Sequence, residues 1–107
     1  MRRKKTDGVV CPVCGGYVFE EEGDHDICDR CGWENDNLQD RDHNYAGGAN
    51  DLSVNEARIE FFLLNNEKTS AKAEKLRAKF LKADRTKEAR ENYLNELNGL
   101  LNKDGKK

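Results

Sequence analysis

Long apolar runs are absent from this sequence. A helix that spans a bilayer needs about 20 consecutive, predominantly apolar residues, and none of the 107 residues lies in such a stretch. The basic start of the chain, Met1-Arg2-Arg3-Lys4-Lys5, is also not followed by the apolar segment of a secretory signal. We therefore expect a cytoplasmic protein that does not contact the membrane.

Apolar residues are scarce throughout the chain. They make up 36% of the sequence, whereas charged residues make up 37%. A chain of 107 residues with this composition has little material for a single compact core. We expect a metal-stabilised module joined to amphipathic helices, since small domains gain most from such a staple.

Recognisable catalytic motifs are missing as well. The sequence has no glycine-rich phosphate loop and no visible combination of nucleophile, base and orienting residue. No known base-reading motif accompanies its basic residues. We expect a protein that is not an enzyme.

Four cysteines in two Cys-x-x-Cys pairs are the strongest positive signal. The pairs are Cys11/Cys14 and Cys28/Cys31; 13 residues separate them, and a glycine follows each pair directly. Four thiolates at this spacing close a tetrahedral zinc site, and a reducing compartment disfavours disulfides. We predict one Zn2+ per chain on these four residues. Iron suits the same ligands, and thiol–disulfide exchange at the pairs is a weaker alternative.

Residues around the cysteines are expected to shape the site and its charge. Gly15 and Gly32 can adopt the positive φ angles that turn N–H groups toward sulfur. Four thiolates with a divalent cation carry a charge of about −2, so Arg30 either stabilises the site or is simply solvated. His25 and His43 are not expected as ligands, because four cysteines already complete a structural site.

A short β-hairpin is predicted between the cysteine pairs. Residues 17–20 and 26–27 alternate apolar and polar side chains around a polar turn at 21–25. Such a hairpin places the two pairs side by side. Trp33, which follows the second pair's glycine, is expected to pack over the hairpin or the site rather than to stack on a ligand.

Four sequence blocks occur here in a fixed order. The blocks are Cys11-Pro12-Val13-Cys14-Gly15, Cys28-Asp29-Arg30-Cys31-Gly32-Trp33-Glu34-Asn35-Asp36, Asp42-His43-Asn44-Tyr45-Ala46-Gly47-Gly48-Ala49-Asn50 and Leu52-Ser53-Val54-Asn55-Glu56-Ala57-Arg58. Together they resemble the bacterial cysteine-rich CPCC proteins, and the resemblance covers residues 10–62. Val13 stands where that family has the first of two adjacent cysteines, which favours Cys11 and Cys14 as the ligands. The resemblance implies a small zinc-binding protein with a ribbon in this half, and no particular activity.

The segment 34–50 is rich in Asp, Asn and Gly. Asn and Asp side chains hydrogen-bond their own backbone in turns, so a structured connector is favoured over a ligand-binding loop. For the loop reading, the groups expected to bind are Asp36, Asp40, Asp42, Tyr45 and Asn50.

Helical patterning begins after this connector. Ser53 and Glu56 form a capping box, which predicts the start of a first helix, and Asn65-Asn66 predicts a break between residues 65 and 70. The predicted organisation is a basic N-terminal arm over residues 1–9, a zinc-ribbon module with an acidic connector over 10–52, and a helical region over 53–107.

Two amphipathic helices are predicted after that break. Apolar residues recur at steps of three and four over Ser70–Ala83 and again over Thr86–Asn102. One continuous helix over 70–102 is the alternative, but it would place Lys87 and Arg90 on the apolar seam. A helical hairpin is therefore preferred. The expected fold class is small α+β, a zinc ribbon with a short β-hairpin followed by two or three amphipathic α-helices.

Charge is unevenly distributed along the chain, whose net charge is −2. Residues 20–60 hold 13 acidic and three basic residues, whereas residues 68–90 hold nine basic and three acidic ones. The acidic segment suits a partner macromolecule with a basic surface. Its candidate partner-binding residues are Glu20, Glu21, Glu22, Asp24, Asp36, Asp40 and Asp42.

We expect a small, zinc-binding, non-catalytic protein that acts as an adaptor or inhibitor of a partner macromolecule, most simply a protein, in a bacterial or phage setting. A nucleic-acid-associated regulator is the alternative, in which phosphates contact the basic helix over residues 70–87. Its candidate residues are Lys72, Lys75, Lys79 and Lys82, supplemented by the basic N-terminal arm. A homodimeric structural factor joined through the C-terminal helices is a further alternative.

Overall fold

The computed structural model describes residues 8–84 and 86–102. Most of the predicted basic arm, Arg85 in the predicted turn, and residues 103–107 lie outside the described residues. The chain divides into two compact units, Met1–Asn55 and Glu56–Lys107. We call them the ribbon unit and the helical unit.

The ribbon unit contains one short antiparallel pair of strands within its described residues. Strand β1 is Val9–Val10 and strand β2 is Val18–Phe19, with Val9 opposite Phe19. Side chains alternate across a strand, and accordingly Phe19 is fully buried whereas Val18 is exposed. The predicted small α+β fold, with a hairpin close to the cysteines, is confirmed.

The partner of β2 differs from the predicted one. The sequence pattern assigns residues 26–27 to it, but β2 pairs with β1 instead. The first cysteine pair itself forms the turn: the N–H of Gly15 donates to the carbonyl of Cys11 (2.9 Å), and the N–H of Cys11 donates to the carbonyl of Tyr17 (2.8 Å). The chain reverses there, so the residues flanking the pair become neighbours. The predicted hairpin turn at 21–25 forms a separate polar loop.

The second cysteine pair forms a turn of the same kind. The N–H of Gly32 donates to the carbonyl of Cys28 (2.9 Å), and the N–H of Cys28 donates to the carbonyl of Trp33 (2.8 Å). Ile27 and Glu34, which flank this turn, form an isolated antiparallel bridge. Each cysteine pair is therefore the turn of its own small antiparallel pairing.

The apolar core of the ribbon unit is small. Phe19 and Trp33 are buried, and so are Leu52 and Val54. Phe19 contacts the ring of Tyr17 edge-on, with centroids 5.2 Å apart. The 3% exposure of Trp33 agrees with the packing role expected for it. A core of this size supplies little hydrophobic stabilisation. The ribbon unit therefore resembles small domains that depend on a structural metal or on disulfides for their stability.

A short helix lies inside the segment predicted as a connector. Helix α1 is Asn37–Arg41, and the Asp36 carboxylate caps it by accepting hydrogen bonds from the N–H groups of Leu38 (2.8 Å) and Gln39 (3.3 Å). An aspartate at this position satisfies N–H groups that have no partner within the helix. Five residues are too few to show a helical period, which is why α1 is absent from the predicted elements.

Three longer helices follow α1 in the described part of the chain. They are α2 (Val54–Leu64), α3 (Ser70–Lys82) and α4 (Lys87–Leu100). The break expected between residues 65 and 70 is present, and α3 and α4 begin and end within two residues of their predicted bounds. Nowhere in residues 8–84 or 86–102 does a helix combine the length and the apolar character required to traverse a bilayer.

Helices α3 and α4 are separate, which excludes one continuous helix over residues 70–102. Ala83 and Thr86 both have extended backbone conformations, with ψ of 170° and 172°. The hydroxyl of Thr86 accepts a hydrogen bond from the N–H of Ala89 (3.1 Å) and so caps α4. The rings of Phe80 and Tyr93 then stack across the two helices, with centroids 4.6 Å apart and planes 5° from parallel.

Polar contacts also connect α2 to the other two helices. The Tyr93 hydroxyl donates to Glu60 (2.6 Å), whose carboxylate lies 3.5 Å from Nε of Arg77. Glu56 pairs with Arg90 at 2.9 Å. Burial and the hydrogen bond to Glu60 raise the pKa of Tyr93, because an ionised Tyr93 would lie beside a second negative charge. The aromatic stack and these paired charges thus connect the three helices of the helical unit.

Candidate metal centre

The four cysteines occupy equivalent positions in the two hairpin turns. Cys11 and Cys28 open the turns and are 1% and 2% exposed, whereas Cys14 and Cys31 are half-buried. Because each turn reverses the chain within a few residues, the two sulfur atoms of a pair reach the same centre. The matching burial of the two pairs shows that both turns present their thiols in the same way.

The four Sγ atoms form one cluster. All of them lie within 4.8 Å of one another. Two of the approaches join the two turns, with 3.6 Å between Cys11 and Cys31 and 3.6 Å between Cys14 and Cys28. None of the four forms a disulfide. Over residues 8–84 and 86–102, no second group of three or more histidine, cysteine or carboxylate side chains converges in this way. The cluster can hold a metal ion through four sulfur ligands.

The glycine after each cysteine pair adopts a left-handed backbone conformation. The φ angle is 70° at Gly15 and 84° at Gly32, a region that residues with a Cβ atom rarely occupy. A Cβ atom at either position would meet no other atom within 4 Å. The backbone conformation, and not a lack of space, is therefore what requires glycine here, as the sequence predicts.

Backbone N–H groups point at the sulfur atoms. The N–H of Gly16 donates to Sγ of Cys14 (3.3 Å), and the N–H groups of Arg30 and Cys31 donate to Sγ of Cys28 (3.3 and 3.4 Å). Donors of this kind stabilise thiolates and fix the orientation of the ligands around a metal. The turns therefore supply part of the positive potential that a four-thiolate site needs.

Burial and hydrogen bonds from N–H groups act in opposite directions on the pKa values of the thiols. Burial raises the pKa of the Cys11 thiol and of the Cys31 thiol. At Cys28 burial acts in the same direction, but hydrogen bonds from the N–H groups of Cys31 and Arg30 outweigh it, so the pKa of Cys28 is lowered. Four charged thiolates are unfavourable in such a buried cluster on their own. A bound cation is the group that would offset their charge.

Arg30 lies against the first turn, and the histidines lie outside the cluster. A Cβ atom at Gly16 would come within 2.6 Å of Cδ and Nη1 of Arg30, so the arginine side chain passes directly over that glycine. The arginine thus brings a positive charge close to the first turn as well as an N–H group to the second. His25 pairs with Glu34 at 3.3 Å, and neither His25 nor His43 belongs to the cysteine cluster.

A buried amide network lies beside the second turn. Gln39 is fully buried, and the two hydrogens of its Nε2 are shared among three carbonyls, those of Tyr45 (3.0 Å), Asn50 (3.2 Å) and Leu52 (3.0 Å). Its Oε1 accepts from the backbone N–H (3.0 Å) and the side-chain amide (2.9 Å) of Asn50. The Asn50 amide in turn exchanges two hydrogen bonds with the backbone of Glu34, both 2.9 Å long. The network joins α1 and the loop after it to Glu34, in the segment that leaves the second turn.

Asp36 is part of the same structure. Besides capping α1, its carboxylate accepts a hydrogen bond from the N–H of Ala49 (2.8 Å), and only 9% of the residue is exposed. Burial disfavours its charge, but the N–H groups of Ala49, Gln39 and Leu38 outweigh that effect and lower the pKa of Asp36. A Cβ atom at Gly48 would lie 2.7 Å from this carboxylate, so the loop can approach Asp36 only with glycine there.

Gln39 belongs to this network, but it is not among the residues that the sequence analysis assigns to segment 34–50. Asp36 and Asn50 are among the groups assigned to the ligand-binding reading of segment 34–50, but their polar atoms are used inside the fold. The network instead agrees with the favoured reading, a structured connector. A sequence signal for Gln39 exists: it follows Asp36 by three residues, the spacing of a capping box.

Part of the predicted partner-binding set is available at the surface. Glu20, Glu21 and Glu22 are exposed in consecutive positions, and Asp40 is half-buried in α1. Glu22 lies 3.4 Å from Arg41, with both side chains at least half exposed. Such a solvated pair contributes little to stability, so these carboxylates stay free to contact a partner.

Three other predicted carboxylates are engaged within the ribbon unit. Asp24 accepts hydrogen bonds from the backbone of its own loop and from the Asn35 amide (2.8 Å), and its pKa is lowered because these bonds outweigh its desolvation. Asp42 accepts a bond from the N–H of Asn44 (3.0 Å). Asp36 is buried and its carboxylate is used within the fold. The fold itself uses these groups.

The fold and the cluster define a small protein in which two cysteine turns converge on a four-sulfur site of the ribbon type. Comparison with known families matches residues 9–84 to the family described as Cysteine-rich CPCC, and the chain belongs to that family. The match continues past residue 62, where the resemblance noted in the sequence stops, and includes α3. Comparison with curated proteins gave no match. Family and cluster together suggest metal binding.

Proposed function

We propose that the cluster of Cys11, Cys14, Cys28 and Cys31 holds one structural Zn2+ per chain, and that the protein is a non-catalytic binding protein. The observation that carries this proposal is the convergence of four free thiols within 4.8 Å. Four sulfur ligands at about 2.3 Å from a tetrahedral zinc ion lie about 3.8 Å apart. The observed separations of 3.6 Å across the two turns fit that arrangement.

A structural role for the metal follows from the same ligand set. A zinc ion with four thiolate ligands has no open position for water or substrate, whereas catalytic zinc sites keep one. The ribbon unit has a small apolar core, so it needs another source of stability. Metal binding supplies folding free energy to a unit of this kind. Chemistry at this centre is therefore not part of the proposed function.

Native mass spectrometry of the freshly purified full chain tests the metal. We expect a mass increment of one zinc ion per chain. This increment is expected to disappear when a chelator removes the metal from the four thiolates. The same spectrum reports whether the chain is monomeric or dimeric. An iron increment contradicts the assignment of zinc. A metal-free chain whose mass is lowered by the loss of thiol hydrogens assigns the cysteine pairs to redox chemistry instead.

Recognition is assigned to the exposed glutamates that follow β2 at the start of the loop between the two cysteine turns. Glu20, Glu21 and Glu22 form a compact run of negative charge. An acidic surface of this kind fits a basic surface on a partner protein, where complementary charge sets specificity and association rate. The protein then acts as an adaptor or an inhibitor that covers a basic surface.

Charge removal at this run tests the acidic surface. An arginine-rich peptide serves as the probe, and binding is measured by titration calorimetry. We expect the triple replacement Glu20→Gln, Glu21→Gln and Glu22→Gln to weaken binding about tenfold, because three exposed ion pairs contribute roughly 0.5 kcal/mol each. The matched control changes three exposed glutamates of the helical unit, namely Glu67→Gln, Glu88→Gln and Glu91→Gln. Equal weakening by both triples shows that only net charge matters and contradicts the proposed surface.

A further inference from the structure

The exposed side of α3 carries a regular line of lysines. Lys72, Lys75, Lys79 and Lys82 follow one another at steps of three, four and three residues, and all four are exposed. At 3.6 residues per turn these positions fall within an arc of about 80° and extend about 15 Å along the helix. We call this set the lysine stripe. Ala73 and Phe80, on another side of α3, are buried.

The lysine stripe is not neutralised within the described residues. Lys79 lies 3.9 Å from Glu96, with 74% and 46% of the two side chains exposed, and such a pair is weak. The other three lysines form no ion pair with any residue in 8–84 or 86–102. Glu74, the one acidic residue of α3, falls outside the arc. The stripe therefore presents four exposed positive charges, of which one is weakly paired.

Helix stability does not account for the stripe. Neighbouring lysines three or four residues apart repel one another by about 0.2–0.5 kcal/mol per pair. Lys79 and Lys82 lie in the last turn, where the helix dipole favours cations. Lys72 lies in the first turn, which contains no acidic residue and where the dipole disfavours a positive charge. A local arrangement that opposes stability is expected where a surface has a binding role.

We propose that the lysine stripe of α3 binds the phosphate backbone of a nucleic acid duplex without reading its sequence. A line of cations on one face of a helix neutralises phosphates and releases their counterions. Lysine acts as a point charge toward phosphate rather than as a reader of base edges. This proposal is independent of the proposed acidic surface, since it rests on the helical unit alone.

The neighbours of the lysines favour a duplex over other anionic surfaces. A helix that lies on a membrane inserts bulky apolar side chains beside its cations. The exposed positions that flank the lysine arc are Ala71 and Ala78, and Phe80 is buried. Leu81 is exposed, but it falls about 100° away from the arc. Proteins that bind single strands stack bases on exposed aromatic rings, and α3 exposes no aromatic ring. Backbone contact with a duplex requires only the cations.

The salt dependence of binding tests the stripe. The full chain, loaded with its metal, is titrated into a labelled mixed-sequence duplex DNA of about 20 base pairs at several salt concentrations from about 50 to 200 mM. Each phosphate contact contributes about 0.9 to the slope of log K against log salt. We expect Lys75→Gln to reduce the slope by about 0.9, and replacement of all four lysines by glutamine to reduce it by about 3.6. The change in slope is diagnostic, because the basic N-terminal arm can add contacts of its own.

The control is Arg41→Gln, which removes one exposed cation from the ribbon unit outside the cysteine cluster and is expected to leave the slope unchanged. Circular dichroism of the quadruple variant is expected to match the wild type, since lysine and glutamine have similar helix propensities. An unchanged slope in Lys75→Gln overturns the proposal, and so does loss of helicity in the quadruple variant, which would make the lysines structural. Binding to anionic lipid vesicles with none to the duplex also overturns it.

Discussion

The Cys28→Ser variant is expected to lose the bound metal and to unfold the ribbon unit, while the helical unit keeps its helices. Cys28 is 2% exposed, and its sulfur accepts the N–H groups of Arg30 and Cys31. Serine cannot replace the thiolate as a zinc ligand in such a site. Its hydroxyl stays protonated and is a much weaker ligand for the metal ion than a thiolate. The change therefore removes one ligand and the charge around which the second turn is organised.

The size of this effect follows from the free energy of metal binding. Structural zinc contributes about 10–16 kcal/mol in small zinc-dependent domains, whereas whole domains are stable by only about 5–15 kcal/mol. The ribbon unit has four large or medium apolar residues in its core, Phe19, Trp33, Leu52 and Val54. A unit with so little buried apolar surface is not expected to remain folded without its metal.

Trp33 makes the measurement specific for the ribbon unit. It is the single tryptophan of the chain and is 3% exposed, so its fluorescence reports whether the ribbon unit is folded. Far-ultraviolet circular dichroism reports mainly on α2, α3 and α4, which hold most of the helical residues. We expect a red-shifted Trp33 emission in Cys28→Ser, together with a largely retained helical signal and no bound metal by mass spectrometry.

Val13→Ser is the matched control, because it introduces the same side chain between the ligands of the first turn. Val13 is half-buried, and its side chain is not part of the sulfur cluster. We expect this variant to bind one metal ion and to keep the emission of buried Trp33. Wild-type metal content and unfolding behaviour in Cys28→Ser would refute the metal centre.

The cysteine cluster and the helices of the helical unit are the parts of this structure that depend mainly on residues close together in sequence. Cys11 and Cys14 share one turn, so their spacing alone decides whether both sulfur atoms can reach one centre. Helices α3 and α4 repeat apolar residues at the helical period over 13 and 14 residues, which is long enough to be recognised. In these elements the residues that interact lie close together in sequence.

The strand pairing could not be obtained in that way. Val18 and Phe19 have the pattern of a strand, but nothing in their own pattern distinguishes Val9–Val10 from residues 26–27 as the partner. The choice depends on hydrogen bonds within the first cysteine turn, from Gly15 to Cys11 and from Cys11 to Tyr17. Two-residue strands have too few side chains to specify their own pairing.

The spacing of Gln39 from Asp36 marks a helix start but does not reveal the role of Gln39 in the network, because its partners lie between six and 13 residues further along the chain. An isolated glutamine in a polar segment is most often solvated. Gln39 is buried because the loop after α1 folds back over it, and that contact cannot be recognised from the residues next to it in sequence. Long-range polar contacts of this kind leave no period in the sequence.

Gln39→Leu is expected to destabilise the ribbon unit by about 4 kcal/mol. Leucine has a similar size, but it offers no hydrogen bond to the carbonyls of Tyr45 and Leu52 or to the N–H of Asn50. Each buried polar group that is left without a partner costs about 1–3 kcal/mol. Since several groups lose the same partner, the sum reaches the upper end of what single substitutions produce.

Urea unfolding of the metal-loaded protein, followed by Trp33 fluorescence, measures this loss. The control is Asn95→Leu in α4, which makes the same kind of exchange at an exposed position and is expected to change stability by less than about 0.5 kcal/mol. Circular dichroism of the helical unit is expected to be the same in both variants. If Gln39→Leu unfolds at the wild-type urea concentration, water satisfies the freed groups and the network is not what holds α1 to the second turn. A large loss confined to the Trp33 signal instead means that the second turn depends on this amide network in addition to the proposed metal.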